Sequence, residues 1–141
     1  MTEPGDDTVT VYEAVGGTPF FVRLVDAFYE GIETDAVLRP MYPADDMGGA
    51  KRRLALFLVQ FWGGPTTYMD ERGHPMLRAR HMPFPIDGAA RDHWLFHMAA
   101  AVERTTEPGE VRDSLMNYFV PAAEAMRNDS GPGLHLGSPR T

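Results

Sequence analysis

The chain has 141 residues, 43% of them hydrophobic, which suits a single domain with a real core. Twenty Asp and Glu against 13 Lys and Arg give a net charge of −7, which argues against a nucleic-acid or anionic-membrane partner. With no cysteine, disulfides, thiolate nucleophiles, iron–sulfur clusters and thiolate zinc sites are excluded. No basic start followed by an apolar run marks a secretory signal, and no run nears the ~20 residues of a membrane span. A cytoplasmic location is the default expectation.

Residues 1–8 (MTEPGDDT) are polar and read as a loose N-terminal tail. From Val9 to Val15 the apolar spacing is helical and ends at Gly16-Gly17, a pair that permits sharp reversal. Thr18-Pro19 is a helix start, Thr as N-cap and Pro at the first helical position. Phe20, Phe21, Leu24, Val25, Phe28 and Ile32 then predict an amphipathic helix over Pro19–Glu33, with Tyr29 at the edge of its apolar face. Thr34–Pro43 is too rich in proline for more than a turn or two.

A further helix is expected from Asp45-Asp46, whose carboxylates suit its positive end. Ala50, Leu54, Phe57, Leu58 and Phe61 form its buried stripe, and Gly63-Gly64-Pro65 ends it. Thr66–His74 reads as a loop. Arg72–Asp87 (RGHPMLRARHMPFPID) holds Pro75, Pro83 and Pro85, so it has room for about two helical turns, near Met76–His81. Asp87 is the N-cap of a long helix to about Thr105, with Trp94, Leu95, Met98 and Val102 inward. Pro108 starts the last helix, whose inward residues are Val111, Leu115, Phe119, Ala122 and Met126. Pro121 falls inside that helix and should kink it. Residues 129–141 lack periodicity and read as a C-terminal tail; residues 9–128 are the folded domain. No strand pattern occurs, and the class is all-α.

Taken singly, the polar residues leave alternatives open. His81 is a solvated or carbonyl-bonded histidine, or a metal ligand held in a stiff proline frame. His93 and His97, four apart on one helix face, could chelate a metal, though no glutamate adjoins His93 in the protease pattern. His135 lies in the tail. Tyr29, Tyr42 and Trp94 are core aromatics or donors converging on one ligand. Arg53, Arg78 and Arg80 are solvated charges or partners for the carboxylates of an anionic cofactor. No phosphate loop, dinucleotide turn or nucleophile elbow is present.

Together, several stretches resemble the group II truncated haemoglobins: Tyr12–Gly17 (YEAVGG), Phe28-Tyr29, Val37–Asp46 (VLRPMYPADD) and Phe57–Pro65 (FLVQFWGGP). Arg72–Pro75 (RGHP), Leu77–Phe84 (LRARHMPF) and Arg91–Leu95 (RDHWL) continue the match, which runs from about Val11 to Asn128. The resemblance implies a shortened globin, a two-over-two helical sandwich around haem b. His81 matches the proximal iron ligand of a five-coordinate haem. Tyr29, Tyr42 and Trp94 match the hydrogen-bonding residues of the distal side, and Ala50 stands where a distal histidine is usual. Leu54 and Phe57 would pack on the distal haem face, Leu77 and Ile86 on or beside the proximal one. Arg53 and Arg80 are the candidates for the propionates. The implied function is reversible, tight and slow-releasing binding of dioxygen or other diatomic ligands. The alternative is a redox enzyme, peroxidase-like or detoxifying nitric oxide, that would need an external reductant. The family is also compatible with a homo-oligomer.

Overall fold

The computed structural model describes residues 9–128; the expected tails, residues 1–8 and 129–141, lie outside the described residues. Its helices are α1 (Val11–Ala14), α2 (Thr18–Glu33), α3 (Met47–Phe61), α4 (Thr67–Arg72), α5 (Leu77–His81), α6 (Gly88–Thr105) and α7 (Glu110–Ala125). A 3-10 turn, Arg39–Met41, lies between α2 and α3. Among the described residues there is no strand, as expected of an all-α chain.

The core forms where α2 packs on α3 and α6, and α6 packs on α7. The α2–α3 pair and the α6–α7 pair make the two-over-two sandwich. The α2 stripe is buried as its spacing predicts, Phe20, Phe21, Leu24, Val25, Phe28, Tyr29 and Ile32 all lying in the core. Each large apolar side chain so buried contributes about 1.5–3 kcal/mol. From the other pair, Met98, Ala101 and Val102 of α6 and Leu115 and Phe119 of α7 join the same cluster.

Asp46 and Asp87 cap α3 and α6, their carboxylates accepting from the Gly49 and Ala90 amides. Elsewhere the local reading needs correction. Thr18 is the first residue of α2 and not its cap, a place taken by Gly17 at φ 91°. The Thr18 hydroxyl instead pairs with that of Tyr12 at 3.0 Å. Gly109 caps α7, so Pro108 precedes that helix, which runs on through Pro121 to Ala125. Phe61 is not buried; 48% exposed, it stacks on Tyr118 with ring centres 4.1 Å apart.

The segment read as the loop Thr66–His74 contains α4. It has one buried residue, Tyr68, whose ring meets Phe57 edge-on at 5.7 Å. Tertiary bonds support it: Gln60 Oε1 accepts the Met69 amide at 2.9 Å, and Arg52 holds Glu71 in two parallel bonds of 2.7 and 2.8 Å. So short a helix depends on such contacts and leaves no periodic stripe to read.

Gly64 closes the α1 side of the fold. A β-carbon there would stand 2.6 Å from the Tyr12 ring and 2.7 Å from Val59, so only glycine admits α1. The Tyr12 amide then bonds the Trp62 carbonyl at 3.0 Å.

Candidate functional site

Between the helix pairs lies a cavity of about 310 Å³, at the lower end of the range for small-molecule sites. Every residue the family resemblance assigned to the haem site lines it: His81, Tyr29, Tyr42, Trp94, Ala50, Arg53, Leu54, Phe57, Leu77, Arg80 and Ile86. Phe84, Tyr118, Phe119, Ala122 and Met126 complete much of the apolar wall.

Among the described residues, His81 is the only histidine lining the cavity. It ends the short helix α5, and its Nδ1 lies 2.6 Å from the Leu77 carbonyl oxygen one turn earlier. A carbonyl can only accept, so Nδ1 carries a proton, and in the neutral ring Nε2 is left with the lone pair. Metal-ligating imidazoles are oriented by this kind of carbonyl bond.

Tyr29 comes from α2, Tyr42 from the end of the Arg39–Met41 turn and Trp94 from α6. The tyrosine rings meet edge-on at 5.5 Å. Trp94 is wedged by Phe28 at 5.2 Å and Phe119 at 5.8 Å. Burial pushes the Tyr42 hydroxyl up to about 12, although the neighbouring Trp94 indole N–H works the other way. Burial, reinforced by Tyr42 and opposed by Arg53, raises Tyr29 well above the ordinary tyrosine range. Both hydroxyls therefore keep their protons, and remain donors, at any neutral pH.

The two propionate candidates differ in how far they are already engaged. Arg53 makes a loose 3.4 Å contact with Asp46. Arg80 donates Nε to the Pro75 carbonyl at 2.6 Å and a terminal nitrogen to the Arg72 carbonyl at 3.2 Å. Its charge meets carbonyl dipoles there and no carboxylate. Arg91, which sequence reasoning passed over, also lines the cavity, paired with Asp92 at 2.8 Å and with Glu124.

Sequence reasoning also missed Asn128. Its Oδ1 accepts the Ile86 amide at 3.0 Å, and its Nδ2 donates to the Phe84 and His81 carbonyls at 2.8 and 3.3 Å. Its own amide bonds the Ile86 carbonyl at 3.0 Å. No local pattern announces a clamp whose partners lie more than forty positions away. His93 and His97, the possible chelating pair, both bond Asp35. Among the described residues, no group of three or more His, Asp or Glu is arranged to hold a metal ion.

A flat apolar cleft with one imidazole whose Nε2 is free, and arginines at its edge, fits a planar, mostly apolar, iron-bearing dianion such as haem. Crossed helix pairs around such a cleft define a shortened globin. The family model for bacterial-like globins matches residues 10–128. Group 2 truncated hemoglobin YjbI of Bacillus subtilis is 40% identical over 119 residues, covering 84% of this chain and 89% of that protein. The thermostable hemoglobin of Thermobifida fusca superposes with a TM-score of 0.83 at 53% identity, covering 89% of this chain and all of that one. The truncated oxygen-avid haemoglobin of Bacillus subtilis gives 0.79 at 40% identity, over 85% of this chain and all of that one.

The chain belongs to the bacterial-like globin family, among the group II truncated haemoglobins. Haem b is accordingly its cofactor, and it is an oxygen-binding globin. Among the described residues, no helix is long and apolar enough to cross a membrane.

Proposed function

We propose that the chain binds dioxygen, and other diatomic ligands, reversibly and releases them slowly. In this reading His81 is the protein ligand of a five-coordinate haem iron, and Tyr29, Tyr42 and Trp94 hold the diatomic molecule. One observation carries it: a single cavity gathers one imidazole, tied through Nδ1 to a backbone carbonyl, with the hydroxyls of Tyr29 and Tyr42, which keep their protons, and the indole of Trp94.

When bound, haem supplies an open coordination position at which a diatomic molecule gains partial negative charge. The chain's own residues do the rest. Ala50 is too small and apolar to donate, which leaves the three aromatics as the donors near the ligand. In this reading the Trp94 N–H, set beside Tyr42, shares the ligand with the Tyr42 hydroxyl. Tyr29, buried against Phe28, is held in a single direction. A hydrogen bond to a charged acceptor is worth about 1.5–3 kcal/mol. At 1.4 kcal/mol per decade, each well-placed donor slows escape by roughly ten- to hundredfold. Leu54 and Phe57 exclude water on the distal side and strengthen those bonds, while Leu77 and Ile86 pack beside His81 on the proximal side. Arg53 and Arg80 hold the propionates in the same reading. The oxygen-avid relative supports this profile. Slow release suits ligand chemistry or sensing better than oxygen delivery.

Two measurements test the assignment. Purified protein titrated with haem should develop the intense absorption band of a histidine-ligated haem, and His81→Ala should lose it until imidazole is added. A full band in His81→Ala without imidazole would remove His81 from the iron. Trp94→Phe and Tyr29→Phe should each release dioxygen roughly ten- to hundredfold faster; wild-type rates would remove those donors.

A further inference from the structure

Asp35 lies outside the cavity, yet it touches every element that carries a proposed distal donor. It lies two residues past the end of α2, the helix of Tyr29. Its Oδ1 accepts the amides of Val37 and Leu38 at 2.8 and 3.0 Å, and its main-chain oxygen accepts that of Arg39 at 2.8 Å. These bonds shape the turn that ends at Tyr42. Its Oδ2 accepts from His93 Nδ1 at 2.9 Å and His97 Nε2 at 2.7 Å, one turn apart on α6 and either side of Trp94 in sequence.

The carboxylate is only 9% exposed. Burial alone would raise its pKa, but the bonds from His93, His97 and the Leu38 and Val37 amides outweigh that and hold it well below the ordinary carboxylate range. It is therefore ionised, and its bonds are charge-assisted. Space has been cleared for them: a β-carbon on Gly31 of α2 would collide with the His97 ring.

The need for this clasp follows from how α6 is held. Its buried residues are Ala90, Met98, Ala101 and Val102, so the stretch between Ala90 and Met98 has no fully buried anchor. Trp94 lies in that stretch, and so do His93 and His97. Buried polar clusters add little net stability over apolar packing and are better suited to fixing register.

We propose that Asp35, acting through His93 and His97, is the positioning residue of the distal set. It locks α6 to the turn that delivers Tyr42 and so sets how far Trp94 stands from Tyr42 and Tyr29. The inference rests on the reading that those three side chains hold the diatomic ligand.

The test uses haem-loaded protein and two readouts, the dioxygen dissociation rate and the C–O stretch of the carbon monoxide complex, which reports the field of the distal donors. Asp35→Ala and His97→Ala should each release dioxygen about five- to tenfold faster and shift the stretch, because a loosened Trp94 forfeits part of one donor bond. His97→Gln, whose amide nitrogen can replace Nε2 as donor, should stay within about twofold of wild type. In a Trp94→Phe background, His97→Ala should add less than about twofold, since residues acting through one another are not additive. Wild-type rates and stretch in His97→Ala, or an undiminished His97→Ala effect in the Trp94→Phe background, overturn the inference and leave the distal reading standing. A wild-type rate in Trp94→Phe alone overturns both. Should Asp35→Ala fail to fold, the His97 pair and the His97→Ala, Trp94→Phe double variant decide the matter.

Discussion

Asn128→Ala should loosen the grip on haem without touching the cavity. The side chain makes three hydrogen bonds, accepting from the Ile86 amide and donating to the Phe84 and His81 carbonyls. A protein hydrogen bond contributes about 0.5–1.5 kcal/mol net, so three amount to about 1.5–4.5 kcal/mol. The Phe84 bond is exposed and the other two part-buried, which favours the lower half of that range. Because His81 and Ile86 sit at the two ends of the clamped segment, much of the loss should fall on the imidazole. Two assays separate the effects: urea unfolding of the haem-free protein, and transfer of haem to a scavenging acceptor protein. About 2 kcal/mol of lost haem-site stability is roughly thirtyfold in transfer rate at 1.4 kcal/mol per decade. Asn128→Asp keeps the acceptor for Ile86 but sets a charge against two carbonyls, so it should fare no better than alanine. If Asn128→Ala hands over haem at the wild-type rate, the clamp does not orient His81 and the reasoning fails.

Other expectations follow from the packing and titration of the same chain. Gly64→Ala should cost about 1–3 kcal/mol in thermal or urea unfolding, because the new methyl would press on the Tyr12 ring and Val59; an unchanged midpoint would show that α1 is free to move aside. Tyr42 holds its proton up to about pH 12 in the folded chain, against about 10 when unfolded. Its contribution is thus fully present below pH 10 and lost as pH rises from 10 to 12, at most about 2–3 kcal/mol. Ultraviolet titration should show at least two fewer phenolates forming near pH 10 in wild type than the unfolded chain shows, because burial raises Tyr29 as well as Tyr42, and Tyr42→Phe should lessen the alkaline fall in stability.

Much of this fold was legible because long helices write their burial into the sequence. The α2 stripe and the Asp46 and Asp87 caps could be read directly, since each depends on neighbours within a few positions. Helix α4 could not, because Tyr68 is its one buried residue and its support comes from Gln60 and Arg52 on α3. Phe61 misled for the converse reason: it continues the stripe of α3 at helical spacing but runs past the core, where Tyr118 covers one face of it. The site divides in the same way. Residues that face the cavity were found through motif order, while Asn128 and Asp35, which hold those residues from behind, carry no motif. Their partners are far away in sequence, and a lone Asn or Asp after a helix end looks like any other loop residue.

The prolines around His81 gain a different role from the one their spacing suggests. They keep the segment from extending into a longer helix, but α5 has five residues, too few to be stable alone. Rigidity must come from bonds that cross the segment. Arg80 reaches back to the Pro75 and Arg72 carbonyls on one side, and Asn128 grips His81, Phe84 and Ile86 on the other. Within α5 the Leu77 carbonyl fixes the ring. Arg80 is therefore a strut before it is the propionate partner proposed for it. Arg80→Ala should then disturb haem retention through the orientation of His81, whereas Arg53→Ala, with only a loose tie to Asp46, should act through charge at the cavity edge and weaken with rising salt. An Arg80→Ala defect as salt-sensitive as that of Arg53→Ala would reverse this order.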